Sequence, residues 1–377
     1  MTKAAELAKM GEVLTNSQIG GRRNIIINGA MQVAQRGADN LNITSASGGT
    51  FATDRFKFYL SLGGTAQFDL QQVAEAPTGS GFTKSLKVSC DVTATLTANH
   101  YLFLEYNIEG QDVQQLKKGT SSAEKVTLSF WLKSNKTASG QVNLRDHDNT
   151  RMISKTYTIS ASNTWQFVTL IFDGDTTGVI TNDNSKGLAL EFWLDSGTTY
   201  SSGATPTSWE ATSSADRNAT NFGLVSSTDN EWYITGVQLE VGSQATPFEH
   251  RSFGEELALC QRYFQQFAGE NGSGSAYTSL CVGHSSSATR AFFYKQLQGE
   301  MRAAPTLTLS GTTGLRVANM VSGANGTSSL AFGNTEMGTN GGYFRLDHNS
   351  ISATTGDGCR LDRSNDTSAG VSAESEL

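Results

Sequence analysis

Between Phe51 and Val241 apolar side chains recur at every second position, and no helical pattern interrupts them. Phe56, Phe58 and Leu60; Leu86, Val88, Cys90 and Val92; Leu102, Leu104, Tyr106 and Ile108; Val126, Leu128, Phe130 and Leu132; and Leu188, Leu190, Phe192 and Leu194 each mark one face of a strand, because successive strand side chains point to opposite sides. Turn residues separate them, at Gly63-Gly64, Pro77-Thr78-Gly79, Asp173-Gly174-Asp175 and Asn182-Asp183-Asn184. Many strands without long helices between them predict an all-β fold, a two-sheet sandwich of jelly-roll type over residues 23–250.

The period changes between Ile234 and Phe267. Tyr233, Thr235, Val237, Leu239 and Val241 are expected on the buried face of a last strand, which Gly242, Ser243 and Pro247 end. Phe253, Leu257, Cys260, Phe264 and Phe267 then follow at spacings of 4, 3, 4 and 3, a seam two heptads long. Ser252 with Glu255 reads as a capping box. A helix this short must bury its seam, either on the chain's own β domain or against copies of itself. The strict spacing favours copies, which makes residues 251–268 a self-associating linking helix.

The two ends read differently. Lys3 to Leu14 reads as a short helix with Leu7, Met10 and Leu14 on one stripe, which docks on a partner or a sibling copy or is a frayed terminus. Ile25 to Ile27 followed by Asn28-Gly29 reads as a strand entering a bend. Ala268 to Ser275 is a Gly/Ser linker by composition. Beyond it, short β segments around Leu280, Ala291 to Leu297, Ala304 to Leu309, Tyr343 to Leu346 and Cys359 to Leu361 make residues 269–377 a small β-rich C-terminal domain. So few large apolar side chains are expected to need intertwined copies to form a core.

Charge narrows the partners. A net charge of −7 and a pI near 5.3, with no basic cluster denser than Arg22-Arg23 or Lys117-Lys118, argue against nucleic acid. The first residues lack the apolar run of a signal peptide, and no run approaches membrane-spanning length, so the expectation is synthesis in a cytosol without membrane insertion. Cys90, Cys260, Cys281 and Cys359 show neither zinc-ligand spacing nor a disulfide framework and read as buried thiols.

Function, on this pattern, falls to the faces opposite the core. Tyr101 and Phe103 share a face with Glu105, Trp131 with Lys133, and Trp193 with Glu191 and Asp195. Flat aromatic rings beside carboxylates and amides suit a sugar, whose apolar C–H face stacks while its hydroxyls hydrogen-bond. The other reading of the same residues is that a loop or a neighbouring subunit covers them.

Catalytic readings have less behind them. The five histidines include no HExxH, and no cofactor motif is present. Gly283-His284-Ser285 begins like a nucleophile elbow, but Ser287 stands where the final glycine belongs. Asp146-His147-Asp148 and Asp173-Gly174-Asp175 read as turn chemistry or, less simply, as cation ligands, so no metal site is expected. Glu105, Glu191 and Asp195 are candidates for a glycosidase pair only if two of them face each other at the required separation.

The runs VTLSFWLKS, NTWQFVTLIFDG and NEWYITGVQLEVG resemble the strands of jelly-roll carbohydrate-binding modules. RRNIIINGAMQVAQRG, ATDRFKF and QATPFEHRSFGEELALCQRYF resemble tail-fibre or receptor-binding proteins of tailed bacteriophages, over most of residues 20–267; MRAAPTLTLSG, GCRL and SAESEL resemble fibre tip domains more weakly. The resemblance implies a homotrimer with residues 1–22 attaching to the tail or another virion protein. It also implies contact with a host surface polysaccharide or lipopolysaccharide through the sandwich or the tip. Where the carbohydrate-binding modules often carry an aspartate for a structural calcium, this chain has Thr235-Gly236. The expectation is therefore a non-enzymatic virion fibre protein, made in the host cytoplasm, that binds a cell-surface glycan. A head decoration or structural fibre protein, or a glycan depolymerase, is the alternative.

Overall fold

The structure, a computed structural model, describes residues 3, 23–64, 66–267, 277–323, 325–326, 330–349, 351–364 and 369–377. Leu7, Met10 and Leu14 of the expected N-terminal helix, and the linker after Phe267, lie outside the described residues. The chain divides into two compact units, residues 1–256 with 377 and residues 257–376.

The first unit is an all-β, antiparallel jelly-roll sandwich. Its strands are β1 (Asp39–Ile43), β2 (Ser45–Thr50), β3 (Phe56–Ser61), β4 (Gln67–Val73), β5 (Ser85–Val92), β6 (Tyr101–Glu109), β7 (Val126–Ser134), β8 (Ser139–Asp146), β9 (Arg151–Thr158), β10 (Gln166–Phe172), β11 (Lys186–Ser196), β12 (Glu210–Ala211) and β13 (Glu231–Val241). One sheet has the order β1-β4-β5-β13-β7-β10 and the other β12-β9-β8-β11-β6-β3-β2. The core between them is built from the alternating residues. Phe68, Val88, Phe130, Leu132 and Trp232 come from the first sheet, and Phe56, Phe58, Leu104, Leu190 and Phe192 from the second. Of the expected face residues, Val92 differs: at the end of β5 it is exposed.

Strand β13 corrects the expected phase. Trp232 and Ile234 are fully buried in the core, while Tyr233 and Thr235 lie on the opposite face, and after Gly236 the pattern inverts so that Val237 and Leu239 point inward. The cause is a β-bulge. The register against β7 slips between Thr235 and Gln238, and Gly236 takes a φ of +63°, a conformation that suits glycine. An extra residue shifts a period-two pattern by one, so one sequence run serves two faces in turn.

The N-terminal segment runs extended beside β13, where Ile25 N–H donates to the Leu239 carbonyl and Val237 N–H to that of Gly29, and turns at Asn28. Arg251 fixes it: the guanidinium donates to the carbonyls of Asn24 and Ile26 and to the Glu256 carboxylate, which also accepts the Asn28 N–H at 2.5 Å.

The helix Phe253–Gln261 forms with its capping box, Ser252 Oγ accepting from Glu255 N–H at 3.3 Å. The seam does not. The helix ends after nine residues, and Phe264 and Phe267 belong to a strand, β14 (Phe264–Phe267), paired with β23 (Gly370–Glu374). Cys260, Phe264 and Phe267 are buried, Leu257 is half-buried and Phe253 is exposed, so the expected stripe is split between two elements. Helices this short are marginal on their own, and here strand pairing takes the second heptad instead.

The second unit also departs from expectation, because it has a core within one chain. Besides β14 and β23 it contains β15 (Tyr277–Ser287), β16 (Arg290–Gln296), β17 (Thr306–Ser310), β18 (Leu315–Asn319), β19 (Asn325–Gly326), β20 (Ala331–Gly338), β21 (Gly341–Asp347) and β22 (Gly358–Ser364). They form sheets β14-β23-β17 and β19-β18-β22-β15-β16-β21-β20. Phe267, Phe293 and Phe344 pack with Leu315, Leu346 and Leu361, and Ala291, Ala353, Ala369 and Ala373 fill the gaps that large side chains would leave.

Candidate glycan-binding faces of the sandwich

The sequence-derived site residues fall on two different sheets. Phe103 of β6 and Trp193 of β11 are register partners, with ring centroids 4.7 Å apart and planes 19° apart, and Tyr59 of β3 continues the stack at 4.9 Å from Phe103. Trp193 is nevertheless fully buried. The Arg217 guanidinium lies 4.7 Å above its ring and Tyr200 packs at 5.4 Å, both from the segment that follows β11. Tyr101, half-buried, meets Tyr200 edge-on at 5.7 Å.

The carboxylates lie under the same cover. Glu191 accepts from Trp193 Nε1 at 2.9 Å, Arg217 at 2.7 Å, and Arg145 and Asn143 at 3.1 Å each. Burial alone would raise its pKa, but the charges of Arg217 and Arg145 hold it well below the usual carboxylate range. Glu105 sits directly across from it in register and is paired with Lys186 at 3.0 Å. Burial, with the charges of Lys186 and Arg145, draws His147 down to about 3, so it is neutral at pH 7. Asp195 is raised by burial, although it accepts from Val225 N–H at 2.8 Å and Asn221 at 2.9 Å. These residues form a closed aromatic and ionic layer beneath a loop.

Trp131 lies elsewhere. It is on β7 of the other sheet, facing outward, paired with Phe167 on β10 and Thr235 on β13. The Phe167 ring is 5.3 Å away and half exposed. Beyond the Gly236 bulge, Phe82 and Phe248 meet edge-on at 4.8 Å, and His250 packs 5.2 Å from Phe82. Together with Ser129 and Thr246 these residues line an open groove of about 320 Å³. Gly236 is required there, because a Cβ at this position would fall 2.6 Å from the Phe82 ring and 3.2 Å from Trp131. The lining combines rings with hydroxyls and an imidazole, which is the chemistry a pyranose needs. Phe167 was missed in the sequence, although its alternation with Phe172 along β10 would have placed it on the outward face, whereas Phe82, Phe248 and His250 come from loops whose convergence no local pattern signals.

Both acidic turns are already served by a cation from the chain itself. Lys118 Nζ lies 3.2 Å from Asp146 and 2.9 Å from Asp175, and 3.8 Å from the centre of the Trp209 ring. Arg151 adds a 2.8 Å contact to Asp175. Burial works against the ionised Asp175, but the hydrogen bonds from Arg151 and Lys118 bring its pKa to about 2. The four cysteines are free thiols, three buried and Cys281 partly so. Among the described residues no helix is long and apolar enough to cross a membrane, and no cluster of metal-ligating side chains occurs.

No family model matches the chain, and no curated protein matches it. Among solved structures, the enzymatically active domain of tailspike protein 4 from bacteriophage CBA120 aligns at 12% identity and a TM-score of 0.31, over 58% of this chain and 21% of that one. A family 11 carbohydrate-binding module from Clostridium thermocellum, in complex with a mixed-linked β-1,3-1,4 tetrasaccharide, aligns at 11% identity and a TM-score of 0.27, over 56% of this chain and 99% of the module. An arabinose-bound α-L-arabinofuranosidase aligns at 8% identity and a TM-score of 0.30, over 60% of this chain and 30% of the enzyme.

Proposed function

We propose that the chain is a non-enzymatic bacteriophage fibre protein, homotrimeric in the virion, that attaches to its host by binding a surface glycan in the Trp131 groove. The observation that carries this reading is the groove itself: the half-buried Trp131 ring and the half-exposed Phe167 ring lie 5.3 Å apart beside hydroxyl and imidazole groups. The phage setting and the trimer rest on the sequence resemblance of residues 20–267 to tail fibres. The non-enzymatic reading draws on Glu191 and Glu105, which lie across from each other and are each held in an ion pair with a neighbouring cation.

Such a site works through number. A millimolar affinity is worth only about 4 kcal/mol, yet linked copies raise avidity by roughly two to four orders of magnitude. The test is binding of the labelled protein to bacterial cells before and after periodate oxidation of their surface glycans. Saturable binding that is lost on oxidation and weakened in Trp131→Ala supports the reading. Binding unchanged by both treatments, or none to any cell on which the phage grows, sinks it in favour of a structural role. Light scattering reads the trimer directly, and a monomer mass removes that part.

A further inference from the structure

Strands β15, β16 and β21 lie inside the seven-stranded sheet of the second unit. Tyr294 of β16 and Tyr343 of β21 are register partners with ring centroids 5.8 Å apart, and they are 53% and 55% exposed. One row along, Phe292 is opposite Arg345, and His284 stacks on Phe292 with planes 19° apart. Glu336 of β20 is the register partner of Tyr343. His284, Phe292, Glu336, Tyr343 and Arg345 line an open depression of about 270 Å³.

We propose that this depression is a second saccharide site, independent of the Trp131 groove and selective for a neutral hexopyranose. Tyr343 and Phe292 supply the flat apolar floor. Glu336 accepts from sugar hydroxyls, Arg345 donates to them, and His284 does either. A peptide strand added within the depression is disfavoured because β16 and β21, which supply its floor, are paired on both sides, and only β20 at its rim is an edge strand. An apolar protein partner would strip water from Glu336 and Arg345 without replacing it. Arg345 already shares its charge with Asp347 at 3.1 Å, so the site has no surplus cation with which to select an acidic sugar.

The experiment uses the full chain on an array of neutral bacterial polysaccharides and methyl hexopyranosides, in a Trp131→Ala/Phe167→Ala background that removes the sandwich groove. The expected result is residual binding that falls at least tenfold when Tyr343→Ala is added and survives Tyr343→Phe, with an unchanged melting temperature. Glu336→Gln, which keeps the size of the side chain and removes its charge, serves as a second variant and is expected to weaken binding likewise. The inference is overturned if the background variant binds nothing, or if its binding ignores both Tyr343→Ala and Glu336→Gln. It is overturned equally if light scattering shows an oligomer that Tyr343→Ala dissociates, which would assign the surface to contacts between copies. Loss of all binding in the background alone leaves the Trp131 groove as the sole glycan site, so the two readings fail separately.

Discussion

The Arg217 guanidinium lies 2.7 Å from the Glu191 carboxylate and 4.7 Å above the ring of Trp193, which donates from Nε1 to the same carboxylate at 2.9 Å. Ion, ring and acid thus form one closed unit, in which the Trp193 ring is fully buried.

The two tryptophans of the expected site should therefore behave oppositely. Trp193→Ala removes a fully buried ring and leaves Glu191 short of a donor, with an expected loss of about 3 to 5 kcal/mol in denaturant unfolding. Trp131→Ala is expected to cost about 1 kcal/mol or less. It should sharply weaken binding to cells.

Replacing Lys118 with methionine leaves Asp146 and Asp175 facing each other with only Arg151 close to one of them. Breaking a buried pair on one side costs roughly 3 to 5 kcal/mol, whereas Lys118→Met combined with Asp146→Leu should recover much of it. A double-mutant cycle on urea midpoints measures the coupling, and additive effects would contradict the arrangement.

Acid should act on the same cluster. The pKa of Asp175 is depressed in the folded state, from an ordinary 3.8 to about 2. Its contribution is complete above 3.8, where the unfolded carboxyl is ionised too, and is lost as pH falls towards 2. Glu191, also depressed, loses its contribution in the same direction. The melting temperature is expected to drop steeply below about pH 4, and Asp175→Asn should flatten that drop.

Gly236→Ala tests how the groove is assembled. The substitution puts a methyl 2.6 Å from the Phe82 ring on a backbone at φ +63°. A cost of about 1 to 3 kcal/mol is expected. Glycan binding should fall by more than Ser129→Ala reduces it. Equal effects would mean that the bulge does not shape the site.

The alternation of Phe56, Phe58 and Leu60 or of Leu188 to Leu194 was enough to read an all-β sandwich, because burial on one face imposes a period of two that few other constraints disturb. The same rule failed at β13, where one inserted glycine exchanged the faces of Tyr233 and Trp232. It also had no means of deciding that Trp131 and Trp193, equivalent in pattern, lie on different sheets, one open and one roofed by Arg217. The capping box at Ser252 and Glu255 was readable because it is local. The seam was not, because strand pairing of Phe264 to Phe267 with residues over a hundred positions away outweighs a heptad pattern.

The positive charge between the two aspartate turns is carried by Lys118, a residue of the same chain. That corner of the sandwich is therefore clasped by the chain's own ammonium group, and protons, which compete for the same carboxylates, are what loosen it.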